Sequence, residues 1–266
     1  GPHGQGYSSA DKPSVPEMTG RERLSMASAV IVAAGRGKRM RTPVAKQFLE
    51  ISGKPVLART LEVFSYHPRI ARIQLVVSPD DMEFCETWIL GEFGKDADIR
   101  MTAGGLRRQD SVYQGLLALG ESDDETVLVH DGVRPFVTPG LISDCIDGAA
   151  DTGACIAAIP ASDTLKQVDS DNTITETLAR DRIWLAQTPQ AFSYSLIKTA
   201  FDRAEAEGFS GTDEASIVER TGRQVRIVEG SRLNIKITAP GDLEIAERLF
   251  EIFKSSSENP EVSDFL

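Results

Sequence analysis

Cysteine and histidine are scarce: 266 residues carry three of each. Cys85, Cys145 and Cys155 form no Cys-x-x-Cys pair, and His3, His67 and His130 are scattered. This excludes a histidine–cysteine metal site and a disulfide framework. It points to free thiols in a reducing compartment, the cytoplasm. No apolar run approaches the ~18 residues of a membrane span. An excess of positive charge is missing too. Lys and Arg number 29 against 40 Asp and Glu, a formal net charge of −11. Such a balance argues against general nucleic-acid binding, which needs a basic face.

What is present suits a globular chain. The hydrophobic fraction of 41% is ordinary and allows a sizeable core. Gly1-Pro2 has the look of a protease scar, so residues 1–26 are set aside as a tag or N-terminal extension. Their Gly, Ser, Pro and charge content predicts disorder, and the tail 254–266 is expected to fray. One domain is expected over residues 27–253.

Against this acidic background, residues 29–46 stand out. Ala29 to Val32 is a short apolar run with β-branched residues, as in a buried strand. Ala33, Ala34, Gly35 and Gly37 follow, crowded by Arg36, Lys38, Arg39, Arg41 and Lys46. Small residues let backbone N–H groups approach an anion, and the cations add charge, so the stretch suggests a nucleotide triphosphate site. The other reading is a surface loop of solvated basic residues. No Gly-Lys-Ser/Thr follows, so it is not a P-loop, and the third glycine of the dinucleotide fingerprint is absent.

Downstream, strand-like runs (73–77, 99–102, 126–129, 154–159) alternate with helical ones (56–66, 81–90, 109–119, 139–152). The alternation predicts an α/β fold with a Rossmann-like, mostly parallel sheet and helices on both faces. Three Gly-containing turns, near 35, 104 and 132, each follow a strand. In open α/β sheets ligands bind at the carboxyl ends of strands, so the turns are expected to converge on one cleft. Residues 161–184 read as an extended polar β-hairpin, either a solvent flap or a subunit arm. Beyond it come a loop (187–192), a helix (195–207) and a helix start with Thr212 as N-cap and acids in the first turn. Strands at 225–228 and 234–237 and a helix over 240–253 complete the chain.

Several residues suit phosphate chemistry. Arg39 and Lys46 can balance charge on phosphate oxygens. In Gly104-Gly105-Leu106-Arg107-Arg108-Gln109-Asp110-Ser111, the glycines leave room for a flat base. Arg108 can reach phosphate or ribose, and Ser111 a base edge, although Asp110 or Ser111 also suits N-capping. In His130-Asp131-Gly132-Val133-Arg134, Asp131 can bind Mg²⁺ or a sugar hydroxyl, and Arg134 can pair with it or hold a phosphate. His130 reads as a partly buried side chain bonded to backbone. Lys236 breaks an apolar run, so it needs a partner or substrate unless it lies on an edge facing water.

These blocks, with Gln-Thr-Pro-Gln-Ala-Phe (187–192), Thr-Asp-Glu-Ala-Ser (212–216) and Asn-Ile-Lys-Ile-Thr (234–238), occur in an order that resembles the 2-C-methyl-D-erythritol 4-phosphate cytidylyltransferases of non-mevalonate isoprenoid synthesis. The resemblance covers about 29–250. It implies that CTP and the sugar-alcohol phosphate react, with Mg²⁺ carried mainly on the CTP phosphates, to give the CDP-alcohol and pyrophosphate. It implies that Ala33, Ala34, Gly35 and Gly37 hold the triphosphate, and that Arg39 and Lys46 stabilise the pentavalent phosphorus. Gly104, Gly105, Arg108 and Ser111 would face the cytidine, with Asp131 and Gly132 near ribose and metal. Arg180, Thr188, Thr212 and Lys236 would hold the sugar phosphate, joined by Arg134 and Thr164, and Arg180 and Lys236 count among the catalytic residues. It further implies a homodimer in which the hairpin arm carries Thr164 and Arg180 to the neighbour's site. Two departures stand out: Leu106, where relatives often have a small or acidic residue, and Gly132-Val133 in place of Ala-Ala. Val in this turn also occurs in ribitol-5-phosphate cytidylyltransferases, an alternative within the same chemistry. A non-catalytic nucleotide sensor on this fold would lack the catalytic cations.

Overall fold

A computed structural model describes residues 25–35, 45–93, 97–120 and 125–258. The chain opens with β1 (Ala27–Ala33), in which every residue is buried. Ala27, Ala29, Ile31 and Ala33 face one helical layer, while Val30 and Val32 face the other. Such period-two burial on both faces is what a central strand of an α/β sheet requires.

A single turn of 3₁₀ helix (Lys46–Phe48) follows. Gln47 is buried there, and its Nε2 donates to the Ala33 carbonyl at 2.9 Å, which fastens the turn to the end of β1. Two short strands, β2 (Glu50–Ile51) and β3 (Lys54–Pro55), lead into α1 (Val56–Ser65), then β4 (Ile70–Val77). The helix expected over 81–90 is broken. It consists of a 3₁₀ turn (Pro79–Asp81), α2 (Met82–Phe84), a π segment (Cys85–Ile89) and another 3₁₀ turn (Leu90–Glu92). Next come β5 (Ile99–Ala103), α3 (Arg108–Leu119), β6 (Thr126–Asp131), α4 (Pro139–Thr152) and β7 (Ala154–Pro160). Thr138 caps α4, accepting the Leu141 N–H at 3.2 Å, with Pro139 at the first helical position.

The hairpin is β8 (Leu165–Val168) and β9 (Ile174–Leu178), paired with each other outside the main sheet. Asp169 Oδ1 accepts the N–H groups of Asp171 and Thr173, both at 2.9 Å, closing its tip. The chain then enters β10 (Trp184–Ser193), α5 (Tyr194–Glu207), α6 (Glu214–Glu219), β11 (Arg226–Glu229) and α7 (Pro240–Glu258).

Four expectations need correcting. Residues 187–192 lie in β10, not in a loop; β10 pairs antiparallel with β6 and β7 around an irregularity between Ala186 and Gln190. Residues 234–237 form no strand; the Ile237 N–H instead donates to the Val133 carbonyl at 3.0 Å. The N-cap of α6 is Asp213 rather than Thr212, because Asp213 Oδ1 accepts the Ser216 N–H at 2.9 Å. Finally, α7 continues past Phe253 to Glu258.

The main sheet has seven strands in the order β11-β7-β10-β6-β1-β4-β5. All neighbours run parallel except those of β10. From β1 the chain moves outward through β4 and β5, then returns to β6 on the other side of β1. The strand order therefore switches at β1, and the carboxyl ends of β1, β5 and β6 share one edge of the sheet. Helices α1 and α4 cover one face, with Leu61, Phe64, Ile142 and Ile146 in that layer. Helices α3 and α5 cover the other through Val112, Leu116, Ile197 and Phe201. Burying each such side chain stabilises by about 1.5–3 kcal/mol relative to exposure. Gly115 lets α3 lie close to the sheet: a Cβ there would meet Val30 Cγ1 at 2.5 Å and Val76 Cγ2 at 2.9 Å. Helix α7 packs on a third cluster with Ile51, Val56, Val133, Phe136 and Ile237, which brings residues 234–238 beside the strand ends.

Candidate active site

At that shared edge lies a cavity of about 230 Å³. Val32, Ala33, Ala34 and Gly35 line it from the end of β1, Gly105 to Arg108 and Ser111 from the β5–α3 turn, and Asp131 and Val133 from the end of β6. Lys46, Gln47 and Lys236 complete the wall. Three turns far apart in sequence thus converge on one cleft. Among the described residues the lining carries four cations (Lys46, Arg107, Arg108 and Lys236) against one carboxylate, Asp131. In a chain with a net charge of −11, this is a concentrated anion site.

Asp131 organises those cations. It is buried. Its Oδ1 accepts from Arg108 Nε at 2.9 Å, and its Oδ2 meets Lys236 Nζ at 3.0 Å and Arg134 Nε at 3.3 Å. Burial alone would raise its pKa, but Arg108, Lys236 and Arg134 together hold it well below the ordinary carboxylate range. Arg108 is held from the other side by Glu214, whose carboxylate accepts from Nη1, and from Nη2 at 3.2 Å. Burial would lower the Arg108 pKa, but Glu214 and Asp131 raise it overall. Arg108 therefore stays charged in a fixed geometry between two carboxylates, one at the cleft and one in the core.

The backbone behind Asp131 is fixed by a relay. The Asp131 N–H donates to Thr188 Oγ1 at 3.0 Å, and that hydroxyl lies 3.0 Å from His130 Nδ1. His130 Nε2 lies 3.1 Å from the Arg134 carbonyl, which can only accept. Nε2 therefore carries the proton, and Nδ1 accepts from Thr188. His130 is completely buried, and burial pushes its pKa down to about 4.

The β5–α3 turn is braced as well. The Arg107 N–H donates to Asp110 Oδ2 at 3.0 Å, so Asp110 does the capping, while Ser111 Oγ accepts the Gly105 N–H at 3.1 Å. The space beside the glycines is filled by the chain itself. A Cβ on Gly104 would meet Ala34 Cβ and Ser111 Oγ at 2.6 Å, and one on Gly105 would meet Asp110 Cβ at 2.4 Å. These glycines are needed for close packing of the turn against β1.

The expected site residues fall into groups. Ala33, Ala34, Gly35, Lys46, Gly105, Arg108, Ser111, Asp131 and Lys236 line the cavity, and Gly104 lines an adjoining one. Gly37 and Arg39 lie outside the described residues. Gly132 sits behind the wall, its N–H donating to the Val32 carbonyl at 2.9 Å. Arg134 and Thr188 do not face the cavity as expected. Both are buried: Arg134 Nη1 donates to the Asn234 carbonyl at 2.7 Å, and Thr188 bridges His130 and Asp131. Thr164, Arg180 and Thr212 are exposed and do not line the cavity; Arg180 Nη1 donates to the Ser162 carbonyl. Lys236 is half-buried on Asp131 rather than an edge residue facing water. The sequence reading missed Gln47 and Glu214. Glu214 lies in a quoted motif, but an acid in a first helical turn reads as a dipole partner rather than as the anchor of an arginine.

A family model for 2-C-methyl-D-erythritol 4-phosphate cytidylyltransferase matches residues 27–251. The chain belongs to this family. It is 48% identical over 219 residues to the enzyme of that name from Syntrophus aciditrophicus, covering 82% of this chain and 93% of that protein. Against the same-named protein of Geotalea uraniireducens it is 43% identical over 229 residues, covering 86% and 98%. Among solved structures, the 4-diphosphocytidyl-2C-methyl-D-erythritol synthase of Anaerococcus prevotii superposes with a TM-score of 0.75 at 34% identity, covering 85% of this chain and 96% of that one. Family membership agrees with a cleft at the switch point of the sheet and with its excess of cations.

Proposed function

We propose that the protein transfers the cytidylyl group of CTP to 2-C-methyl-D-erythritol 4-phosphate. A phosphate oxygen of the sugar alcohol attacks the CTP α-phosphorus in line. The bond from that phosphorus to the bridging oxygen breaks, and pyrophosphate leaves with the bond electrons. The observation that carries this reading is the set of four cations and one carboxylate at the ends of β1, β5 and β6. Phosphoryl-type transfer asks mainly for positioning and preorganised positive charge. Asp131 supplies the preorganisation by holding Arg108 and Lys236 on opposite oxygens. Lys46 stands on the β1 side of the cleft, where a triphosphate would meet it. Lys236 stands on the side assigned to the sugar phosphate.

Magnesium enters this reading as the companion of the CTP phosphates. Among the described residues no group of three or more His, Cys, Asp or Glu side chains can hold a metal ion. Both Asp131 oxygens already face cations. The residues present do not fit a protein-held metal, and no step is routed through one.

The same reading includes a homodimer. Thr164 and Arg180 lie on the exposed hairpin region, which also exposes Val168, Ile174, Trp184 and Leu185. Pairing with a second copy would cover those side chains and carry Thr164 and Arg180 to the second cleft. Three free, buried thiols support a reducing compartment such as the cytoplasm. Pyrophosphate release from CTP on addition of methylerythritol phosphate tests the proposal. Turnover of ribitol 5-phosphate in its place would refute the assigned alcohol.

A further inference from the structure

Lys46 stands on a 3₁₀ turn and Arg108 on α3, but Lys236 stands on irregular backbone. Its ammonium nevertheless meets Asp131 Oδ2 at 3.0 Å. No sheet ladder holds residues 234–238 in that position, so other contacts must. Upstream of Lys236, the Asn234 carbonyl accepts from Arg134 Nη1 at 2.7 Å, and Asn234 Nδ2 donates to the Thr188 carbonyl at 2.8 Å. The residue after it, Ile237, is buried in the third cluster, and its N–H reaches the Val133 carbonyl at 3.0 Å.

The next tie is a single carboxylate oxygen. Asp242 Oδ2 accepts the Thr238 N–H at 2.8 Å, the Thr238 hydroxyl at 2.9 Å and the Ala239 N–H at 2.9 Å. An acid in the first turn of a helix ordinarily caps it, and the bond from the Ala239 N–H does that for α7. The other two bonds come from Thr238, outside the helix and close behind Lys236 in sequence. Burial would raise the Asp242 pKa, but these donors, with the charge of Lys46 nearby, lower it overall. The carboxylate therefore stays an ionised acceptor throughout the neutral range.

We propose that Asp242 is a positioning residue for the reaction: its carboxylate anchors the Thr238 end of the irregular segment to α7 and so keeps the Lys236 ammonium on Asp131, facing the sugar phosphate. This rests on the assignment of Lys236 to the sugar-phosphate side above. The Asp242 charge also reaches Lys46, so the test includes a variant that keeps that charge. Thr238→Val removes one tie and leaves the carboxylate in place.

Two readouts are taken on the full chain for the wild type, Asp242→Ala and Thr238→Val. The first is the rate at which acetic anhydride acetylates Lys236, followed by mass spectrometry with the exposed Lys166 as internal standard. Loosening the ion pair should raise that rate about 2- to 5-fold in both variants. The second is kcat/KM for methylerythritol phosphate at saturating CTP. It should fall about 10- to 100-fold in Asp242→Ala, the range for a group displaced by about 1 Å, and about 2- to 10-fold in Thr238→Val. Neither substitution should lower it further in a Lys236→Ala background. Acetylation unchanged in either variant overturns the proposal. So does an equal kinetic loss with and without Lys236, because Asp242 would then act on the fold at large. If Asp242→Ala does not fold, Thr238→Val decides alone by the same two readouts. Acetylation needs no turnover, so a protein inactive on methylerythritol phosphate refutes the function proposed above and leaves this test standing.

Discussion

Acidification from about pH 7.5 to about pH 4.5 should destabilise the protein through its buried imidazoles, His130 above all, before most carboxylates titrate. His130 is completely buried, lies 4.9 Å from the Phe64 ring between centroids, and has both ring nitrogens engaged. A second proton has to go on Nδ1, where the Thr188 hydroxyl already donates. Turning that hydroxyl away would desert an N–H···O···N relay that ends on the backbone of Asp131. Burial is the largest cause of the low pKa of about 4, against an ordinary 6.5. The native imidazole therefore stays neutral while the unfolded one gains a proton. Between those two values the unfolded chain binds more protons, so stability falls as pH falls. The full gap corresponds to about 3 kcal/mol, of which about 2.5 is reached by pH 4.5. Urea denaturation at half-unit pH intervals on the wild type and on His130→Gln would measure it. His67 is also shifted down by burial and contributes in the same window, so the difference between the two proteins isolates His130. The variant should be less stable at pH 7.5, yet lose about 2.5 kcal/mol less on acidification to about pH 4.5. A wild-type profile flat between pH 6.5 and 4.5, or equal slopes in the two proteins, would refute the buried-neutral assignment.

The site network makes further demands. Asp131→Asn removes the shared counter-ion of Arg108, Arg134 and Lys236, and should cost about 2–4 kcal/mol in denaturant unfolding, discounted for the partial exposure of two of the cations. Because the Asp131 pKa is depressed, that contribution is complete above the ordinary carboxylate value of about 4 and fades only as pH drops below it; the variant's stability should change less over that acid range. Glu214→Gln frees one side of Arg108 and should weaken kcat/KM for CTP about 10- to 100-fold, a loss of roughly 1–3 kcal/mol, visible in steady-state kinetics. Lys46→Ala should lower turnover about 10²–10³-fold with little change in melting temperature. Gly115→Ala should destabilise by about 1–3 kcal/mol despite alanine's better helix propensity, because its Cβ would overlap Val30 and Val76.

How far the sequence discloses this protein depends on whether a signal is local. The two-sided burial of β1 shows in its unbroken apolar run, and the ligand-facing turns show as Gly and Asp placed just after strands. The hairpin shows in Asp169 to Asn172. Strand β10 hides because Gln187 and Gln190 look like loop residues. In the fold their amides are satisfied by distant groups, Gln187 Nε2 by the Ser231 carbonyl at 2.8 Å and Gln190 Nε2 by Asp213 Oδ2 at 3.0 Å. Residues 234–237 mislead in the opposite sense: their alternation suits a strand, but they are pinned by Arg134 and Val133 and find no ladder partner. Glu214 stays hidden because its partner, Arg108, lies 106 residues away. Arg134 and Thr188 show that a motif names a residue without saying which way its side chain turns: Arg134 backs the Asp131 carboxylate and Thr188 its backbone N–H, instead of facing the cleft.

The central claim is that this cleft joins CTP to methylerythritol phosphate, and pyrophosphate release tests it most directly. Purified protein with CTP and Mg²⁺ should release pyrophosphate only when the sugar phosphate is added, in step with formation of the CDP-alcohol. No release with methylerythritol phosphate, alongside turnover of ribitol 5-phosphate or of no alcohol phosphate at all, would contradict the account.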